Sequence, residues 1–493
     1  MDWQILLGCC LTVANSFSLI STEVTINFDR RNFLASGFSG IALSQLLAST
    51  EAQKPNPLFN GGIHHKAKVR RVIQIFLNGG MSQMDTFDFK PELEKRHGQT
   101  VDVGLKATAT GTPGPLMKSP FKWKQFGKSG RWVTDVFPHI AEYVDDMAFL
   151  MAMQSKSNVH GPASYLQNTG FLLPGFPSAG SWISYALGRL TDDLPAFIVM
   201  PDMRGLPYNG MGNFSSGFLP VSHQGTPVNP ASPAPIPDLQ PPASSKFITH
   251  AASADGLKLL NNMNQNFAAD RLGDSRLQAR VESYELAAKM QLAAPEVFDL
   301  SRETAFIHER FGTSRPGADG AFSRNCLLAR RFVERGVRFV QVWSGAGGPK
   351  NNWDNHTNIP TELPPIARQV DQPVAALLMD LKARGLFADT LLVFTTEFGR
   401  MPFTQSGVGR DHNGSTFVTW LAGAGVKGAV SHGESDEFSY KAAVNKTNCY
   451  DLHATILHLM GVDHEKLSVR HNGIDRRLTD VHGEVIKPIL ARI

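Results

Sequence analysis

Six short apolar runs limit most strongly what this chain can fold into. They occupy residues 69–77, 149–153, 196–200, 337–343, 390–396 and 416–422. The runs are rich in Val, Ile, Leu and Phe and do not alternate with polar residues, which predicts strands that are buried on both faces. Strands of this kind belong to a largely parallel sheet with helices on both sides. We therefore expect an α/β fold.

Helices are predicted between these strands from apolar stripes that end at a glycine. One stripe precedes Gly385 at helical spacing and consists of Val370, Val374, Leu377, Leu378 and Leu381. The segment 327–333 precedes Gly336 in the same manner. Glycine is the usual residue just beyond a helix, and a strand follows each of these two glycines. The repeated order of helix, glycine and strand is typical of an α/β protein.

Composition excludes some classes of function. The chain has 493 residues, of which 42% are hydrophobic and 19% charged, so it can bury one large core or two smaller ones. The net charge is only +4 and Lys and Arg are scattered, so we expect no nucleic-acid partner. We also expect no membrane span in the mature body. Beyond the leader, Cys326 and Cys449 allow at most one disulfide and form no zinc motif.

The N-terminal region predicts export. Arg30 and Arg31 begin a segment that continues with a mildly apolar stretch, 35–48, and small residues around 49–53. This pattern resembles a twin-arginine export signal, and a helix that begins with two arginines is the alternative. We therefore divide the chain into a leader (1–53), a linker (54–68) and a body (69–493), and we expect a periplasmic or extracellular protein.

One region interrupts the α/β order. Residues 217–244 are dense in Pro, Ser and Gly, and a polar helical stretch follows from 255 to about 292. We interpret 217–300 as an insertion into the body. A lid over a substrate site and a plain surface excursion are both consistent with this composition.

Polar residues at predicted strand ends form the candidate site. Carboxyl ends of parallel strands meet at one edge of a sheet, where α/β enzymes bind ligands. Each residue alone has an ordinary interpretation as a cap, an Asx-turn or a solvated loop residue. Their joint occurrence predicts a divalent metal site, with zinc suited to the imidazoles and calcium, magnesium or manganese suited to the acids. The predicted ligands are Asp85, Asp354, His356, Glu397 and His412.

Several motifs carry a family resemblance. They are NGGMSQMDTFD at 78–88, WDNH at 353–356, EFGR at 397–400, DHNG at 411–414 and NGIDRRLTDVHGEVI at 472–486. Together they resemble an exported bacterial family, domain of unknown function 1501, within the alkaline phosphatase and sulfatase superfamily. The resemblance implies an alkaline-phosphatase-like three-layer sandwich that holds metal ions at the carboxyl edge of its sheet.

The resemblance breaks down at the nucleophile. Sulfatases place Cys or Ser at the head of a C-x-P-S-R element, and His160 occupies that position here, with Ser164 in place of the arginine. Phe398 stands where the superfamily has a His or Asn beside the acid. His160 is therefore expected to be either a replacement metal ligand or, less in keeping with the pattern, a covalent nucleophile.

The resemblance implies a metal-dependent hydrolase of sulfate or phosphate esters in which a metal-activated water replaces the usual nucleophile. Arg400 or Arg410 would hold the anionic group of a small-molecule or polysaccharide ester. The alternative is a catalytically degenerate member that binds an anionic ligand or a partner. Retention of the five ligands favours the first hypothesis, and loss of the nucleophile favours the second.

Overall fold

The computed structural model describes residues 63–102, 113–232, 235–236 and 296–491, together with isolated residues between 259 and 290. The predicted leader, including Arg30 and Arg31, lies outside the described residues. So do most of the linker and nearly all of the predicted helical stretch at 255–292. Export and the proposed division of the chain therefore stay predictions.

Nine strands form the central sheet in the described part of the chain. In chain order they are β1 (Arg71–Leu77), β2 (Met147–Gln154), β3 (Phe197–Met200), β4 (Thr226–Pro227), β5 (Phe339–Ser344), β6 (Thr390–Thr396), β7 (Phe417–Gly423), β8 (Val430–His432) and β9 (Thr447–Asn448). Their order across the sheet is β8-β2-β7-β6-β1-β5-β3-β4, and β9 also pairs with β2. All six strands predicted from the apolar runs are present.

The sheet is largely parallel, as predicted. β1 pairs in parallel with β5 and β6, and β3 and β4 extend the parallel part beyond β5. β7 is antiparallel to both of its neighbours, β6 and β2. Because β7 runs in the opposite direction, it begins at the edge where its neighbour β6 ends. A residue just before β7 therefore reaches the same edge as residues just after the parallel strands.

Seven α-helices are described. They are α1 (Pro91–Lys95), α2 (His160–Thr169), α3 (Ala179–Leu187), α4 (Ala305–Phe311), α5 (Gly317–Glu334), α6 (Ile359–Ala383) and α7 (Cys449–Leu459). The described 3-10 helices are Gln83–Asp85, Ile140–Asp146, Gly210–Phe214, Val221–His223, Leu300–Arg302, Leu386–Ala388 and Lys487–Ile489. Small hairpins pair Trp123–Phe126 with Arg131–Thr134, Gly399–Arg400 with His412–Asn413, Glu434–Ser435 with Ala442–Val444, and Val469–His471 with Ile474–Arg476.

Both faces of the sheet are covered by apolar contacts. Ile73 and Ile75 of β1 belong to a core that includes apolar residues of α5 and α6. Val72 and Phe76, which point to the opposite face, belong to a second core that includes residues of α3 and α7. Alternate residues of a strand point to opposite faces, so β1 carries apolar residues on both faces because each face has its own helical layer. The predicted three-layer α/β sandwich is confirmed.

The two predicted helices end where the glycines indicate. α6 ends just before Gly385, which has φ of 71°, and α5 ends just before Gly336, which has φ of 90°. Glycine adopts this left-handed conformation without steric cost. The apolar stripe identifies only the second half of α6, because its first turns contain prolines that the sequence pattern does not assign to a helix.

Part of the Pro-rich region contributes to the sheet. Thr226–Pro227 forms β4 at the outer end of the sheet order, and the neighbouring Val228 is fully buried. Proline is tolerated on an edge strand because it has no N–H to donate to a further strand. Residues 226–228 therefore belong to the sheet and its core, while the interpretation of 217–300 as an insertion stays a prediction.

Two smaller expectations can be compared with the structure. Among the described helices, none combines the length and apolar character needed to cross a lipid bilayer. Cys326 and Cys449 are buried free thiols, and burial raises the pKa of each above its ordinary value. They therefore behave as core residues.

Candidate metal centre

Four polar side chains from three connections meet at the carboxyl edge of the sheet. Asp354 and His356 lie in the loop between β5 and α6, and His160 is the first residue of α2, which follows β2. His412 lies shortly before β7 and pairs with Arg400 in the small hairpin. We call the group formed by His160, Asp354, His356 and His412 the histidine cluster. One ligand atom from each residue lies within 4.8 Å of the others.

The glycine break after β1 allows the ligand loop to approach. Gly79 has φ of 122°, and a Cβ atom there would lie 2.6 Å from the backbone nitrogen of Asp354. The Gly79 N–H donates to Glu397 Oε1 at 2.8 Å. Only a residue without a side chain fits between these two neighbours. The Asn-Gly-Gly motif thus positions the loop that carries Asp354.

The three imidazoles of the histidine cluster converge on one carboxylate oxygen. Asp354 Oδ1 lies 3.2 Å from His160 Nε2, 2.8 Å from His356 Nε2 and 3.0 Å from His412 Nε2. His356 Nε2 and His412 Nε2 are 2.7 Å apart. Four potential ligand atoms therefore face one small region.

The opposite nitrogen of each imidazole faces an oxygen acceptor. His160 Nδ1 lies 2.7 Å from Glu397 Oε1, His356 Nδ1 lies 2.5 Å from Gln405 Oε1, and His412 Nδ1 lies 2.8 Å from the carbonyl of Asn158. A carboxylate, an amide oxygen and a carbonyl all require a donor, so we assign the proton of each neutral ring to Nδ1. Each Nε2 then presents a lone pair to the centre, which is the usual arrangement of histidine metal ligands.

These residues fit a divalent metal ion. Three lone pairs and a carboxylate oxygen repel one another unless a cation lies among them. His160 Nε2 is buried and has no hydrogen-bond partner among the described residues. Ligand atoms around a tetrahedral zinc ion are about 3.3 Å apart, close to the separations in the cluster. Three nitrogens and one oxygen favour zinc or another nitrogen-binding transition metal over calcium or magnesium.

Electrostatics in the histidine cluster also favour a cation. Burial opposes ionisation of Asp354, but the facing imidazoles and Arg400 outweigh it and hold the pKa of Asp354 far below its ordinary value. Burial lowers the pKa of His412 to about 4 despite Asp354, so this ring is neutral at pH 7. Burial lowers the pKa of His160, but the nearby carboxylates of Asp354 and Glu397 have the larger effect and raise it above its ordinary value. An ionised carboxylate beside a neutral imidazole is the state that binds a metal, so a metal ion at His160 has to displace the proton that its raised pKa favours.

Two aromatic rings hold His160 in place. The Tyr208 ring stacks on the His160 ring with centroids 4.4 Å apart and an interplanar angle of 6°. Phe398, which is fully buried, lies with its ring centroid 4.8 Å from that of His160 and 4.8 Å from that of His412. Phe398 therefore supplies no ligand, but it forms an apolar wall that restricts the orientation of both imidazoles.

Two predicted ligands lie outside the histidine cluster. Glu397 contacts His160 Nδ1 and the Gly79 N–H, so it orients a ligand. Asp85 forms a fully buried ion pair with Arg410, whose Nε and Nη2 lie 2.5 Å and 3.0 Å from the two carboxylate oxygens. A carboxylate engaged on both oxygens by one guanidinium has no need of a metal. In this structure the carboxylate of Asp85 neutralises Arg410 and does not face the histidine cluster.

The two arginines predicted to bind substrate are both fully buried in contacts with the protein itself. Arg400 is fully buried and donates to the carbonyls of Gly79 and Gly80 and, at 2.6 Å, to Asp354 Oδ1. Arg410 is fully buried in its pair with Asp85. Neither guanidinium is accessible to a substrate in this conformation, so substrate binding by Arg400 and Arg410 is a prediction that this structure does not support. Arg400 instead offsets the charge of Asp354.

Sequence reasoning missed three contributors to this centre. Gln405 and Asn158 hold imidazoles, and Tyr208 stacks on one. Asn158 acts through its backbone carbonyl, which no sequence pattern marks. Gln405 and Tyr208 lie far in sequence from the rings they contact, so only the folded chain reveals them.

Solved structures that match this chain are sulfatase-type and alkaline-phosphatase-type enzymes. The lipoteichoic acid synthase LtaP from Listeria monocytogenes matches with 10% identity and a TM-score of 0.36, over 83% of this chain and 75% of that one. The PsFucS1 sulfatase from Pseudoalteromonas sp. matches with 12% identity and a TM-score of 0.34, over 80% and 68%. The alkaline phosphatase from the Antarctic bacterium TAB5 matches with 9% identity and a TM-score of 0.34, over 80% and 98%.

Structural similarity at these low sequence identities and TM-scores supports no argument about function. No curated protein sequence matches the chain. A family model does match, and it spans residues 69–490, which is nearly the whole predicted body. The chain thus belongs to the family described as Protein of unknown function (DUF1501).

Proposed function

We propose that this protein is a metal-dependent hydrolase of sulfate or phosphate esters. The observation that carries the proposal is the convergence of three imidazole Nε2 atoms and Asp354 Oδ1 on one point. The choice of ester rests on the motifs that resemble the alkaline phosphatase and sulfatase superfamily. A small-molecule or polysaccharide ester is the proposed substrate.

The chain's own residues prepare the centre for a metal ion. Glu397, Gln405 and the Asn158 carbonyl fix the three rings with their Nε2 atoms inward. Arg400 neutralises part of the carboxylate charge. When bound, a divalent ion supplies Lewis acidity and makes water a nucleophile near neutral pH. No hydroxyl or thiol side chain occupies the position of His160, which is consistent with water as the nucleophile.

The contacts of His160 support a ligand role over a covalent one. Its Nδ1 faces Glu397 and its Nε2 faces Asp354, so both nitrogens are directed at carboxylates. A ring that attacks phosphorus or sulfur needs a free nitrogen facing the substrate. We therefore expect His160→Ala to lower metal affinity roughly 10-fold or more.

One observation favours a second candidate, a metal-binding protein without turnover. Four protein ligands complete a tetrahedral zinc site, whereas catalytic zinc sites keep one position open. Against this, the side chain of His356 is 28% exposed and borders a cavity, so the centre is open to small molecules. Structural zinc sites, in contrast, are closed to solvent. An ester-hydrolysis assay decides between a hydrolase and a metal-binding protein without turnover.

The decisive experiment combines metal analysis with catalysis. We expect the purified protein to contain a stoichiometric divalent metal and to hydrolyse aryl sulfates or aryl phosphates. His412→Ala should remove both properties, while His97→Ala, at an exposed position far in sequence from the cluster, should retain both. Metal binding without hydrolysis of any ester would support the second candidate. Absence of metal from the wild-type protein, even after divalent ions are added, would refute both.

We also propose export by the twin-arginine route. The supporting feature is the Arg30-Arg31 pair followed by the mildly apolar segment 35–48. Replacement of both arginines by lysine should trap the precursor in the cytoplasm, as measured by cell fractionation. Unchanged export of that variant would contradict the proposal.

A further inference from the structure

A cavity adjoins the histidine cluster. Its volume is about 590 Å³, and Asp354 and His356 contribute to its wall. The remaining wall comes mainly from the loop between β5 and α6, from the first turns of α6 and from Arg204, which lies just beyond β3. A cavity of this size at the carboxyl edge of an α/β sheet is suited to a small ligand.

Arg204 is rigidly fixed in the wall of this cavity. Its Nε donates to Asp202 Oδ1 at 2.7 Å, and its Nη2 donates to Asp202 Oδ2 at 2.5 Å and to Gln369 Oε1 at 3.0 Å. Asp202 is itself anchored, because its Oδ2 also accepts from the Gly345 N–H at 2.9 Å. The buried Asp202 and Gln369 therefore hold the guanidinium in one orientation.

One edge of the Arg204 guanidinium remains free. Nη1 makes no hydrogen bond to any described residue, and 23% of the Arg204 side chain is exposed. Lys350, which also lines the cavity, is exposed and has no acidic partner among the described residues. A fixed guanidinium donor and an ammonium in the wall of one cavity are the groups that bind oxyanions in proteins.

We propose that Arg204 and Lys350 form a subsite for an anionic oxygen group of the substrate, such as a phosphate, sulfate or carboxylate. The inference rests on the proposed function only in taking the anion to be part of the ester substrate. It assigns to Arg204 the role that Arg400 and Arg410 cannot perform, because these two are fully buried. The subsite and the histidine cluster share one cavity, so a single substrate can occupy both.

Besides Asp354 of the histidine cluster, two carboxylates in the wall, Asp319 and Glu362, limit the affinity of this subsite. Asp319 lies 3.6 Å from Arg368, which partly offsets its charge. Glu362 has no ion-pair partner among the described residues, and its Oε2 is buried without a hydrogen bond. Glu362 therefore repels an anion in the cavity. Substitutions of Arg204 and Glu362 should shift anion affinity in opposite directions, which a general loss of folding cannot do.

The test uses metal-free full-length protein titrated with inorganic phosphate, sulfate and acetate by isothermal calorimetry. We expect Arg204→Gln to weaken the binding of the preferred anion about 10-fold or more and Lys350→Gln to weaken it less. Glu362→Gln should strengthen it. Arg470→Gln, at an exposed side chain in the middle of the Val469–His471 strand, is the matched control and should leave binding unchanged. The three anions distinguish a tetrahedral group from a carboxylate.

Two results would overturn the inference: no anion binding by the wild-type protein at millimolar concentration, or equal affinity in the wild-type protein and Arg204→Gln. If Arg204→Gln does not fold, the opposite shifts expected for Lys350→Gln and Glu362→Gln decide the question. Metal affinity is measured separately, and we expect Arg204→Gln to retain it. Absence of anion binding in a wild-type protein that binds metal normally therefore refutes the subsite alone.

Discussion

The histidine cluster differs sharply from a second, partly buried group of charges between the helices. That second group, which we call the arginine network, joins α5, α6 and the segment before α4. Arg330 lies 2.7 Å from Glu303, 2.6 Å from Glu334 and 2.8 Å from Asp380. Its members are Arg330, Arg331, Arg384, Glu303, Glu334 and Asp380.

The difference lies in charge matching. The arginine network contains three guanidinium groups and three carboxylates, so its charges balance without any ligand. In the histidine cluster, by contrast, Arg400 offsets the charge of Asp354, but the three inward imidazole nitrogens face this one carboxylate and one another. Matched buried charges stabilise a particular packing, whereas unmatched ligand atoms signal a missing cation. The comparison distinguishes a charge-balanced polar group from a group of potential metal ligands.

The largest expected effect comes from breaking the arginine network. Arg330→Met should lower the free energy of unfolding by about 3–5 kcal/mol, because it removes the most buried guanidinium of the network from Glu303 and Asp380. Arg368→Met, at a side chain that is 72% exposed, is the control and should change it by less than about 1 kcal/mol. Urea unfolding measures the free energy of unfolding of both variants. A small effect of Arg330→Met would mean that the network is not a structural unit.

An intermediate effect is expected from metal binding. At 100 times the dissociation constant, a divalent ion should stabilise the wild-type protein by about 2.7 kcal/mol. His356→Ala should lose most of this gain, and Arg330→Met should keep it, because only the histidine cluster provides unmatched ligand atoms. Thermal unfolding with and without chelator provides the measurement. Equal stabilisation of wild-type protein and His356→Ala would place the metal elsewhere.

The smallest expected effect is the pH dependence of the stability that Glu303 contributes. Burial opposes ionisation of Glu303, but Arg330 and Arg331 outweigh it and lower its pKa below the ordinary 4.5. A carboxyl group whose pKa is lowered by folding contributes stability that is present above pH 4.5 and is lost as the pH falls through the folded-state pKa. The stability difference between wild-type protein and Glu303→Gln should therefore narrow as the pH is lowered from about 5 to about 3.

The control for the pH experiment is Glu309→Gln, at an exposed position of α4. Its stability difference from the wild-type protein should stay constant over the same range. Thermal unfolding at several pH values measures both variants. If the stability difference between wild-type protein and Glu303→Gln does not change with pH, the arginine network does not lower the pKa of Glu303.

Some of the candidate site could be predicted from sequence. Asp354, His356 and His412 follow or precede apolar strands, and strand ends at one sheet edge lie close together in any parallel sheet. Asp85 occupies a similar sequence position, yet its carboxylate pairs with Arg410, 325 residues away. A local pattern places a residue at an edge but does not state which distant side chain it meets there.

The sequence by itself determined six of the nine strands of the sheet, the ends of two helices and the edge at which polar residues gather. These features depend on local burial, glycine conformation and strand direction, which are encoded within short segments. The tertiary structure alone decided that Glu397 orients His160, that Arg400 neutralises Asp354 and that Arg204 faces a cavity. Each of these depends on angstrom-scale distances between segments far apart in the chain, because hydrogen bonds and ion pairs act only at short range.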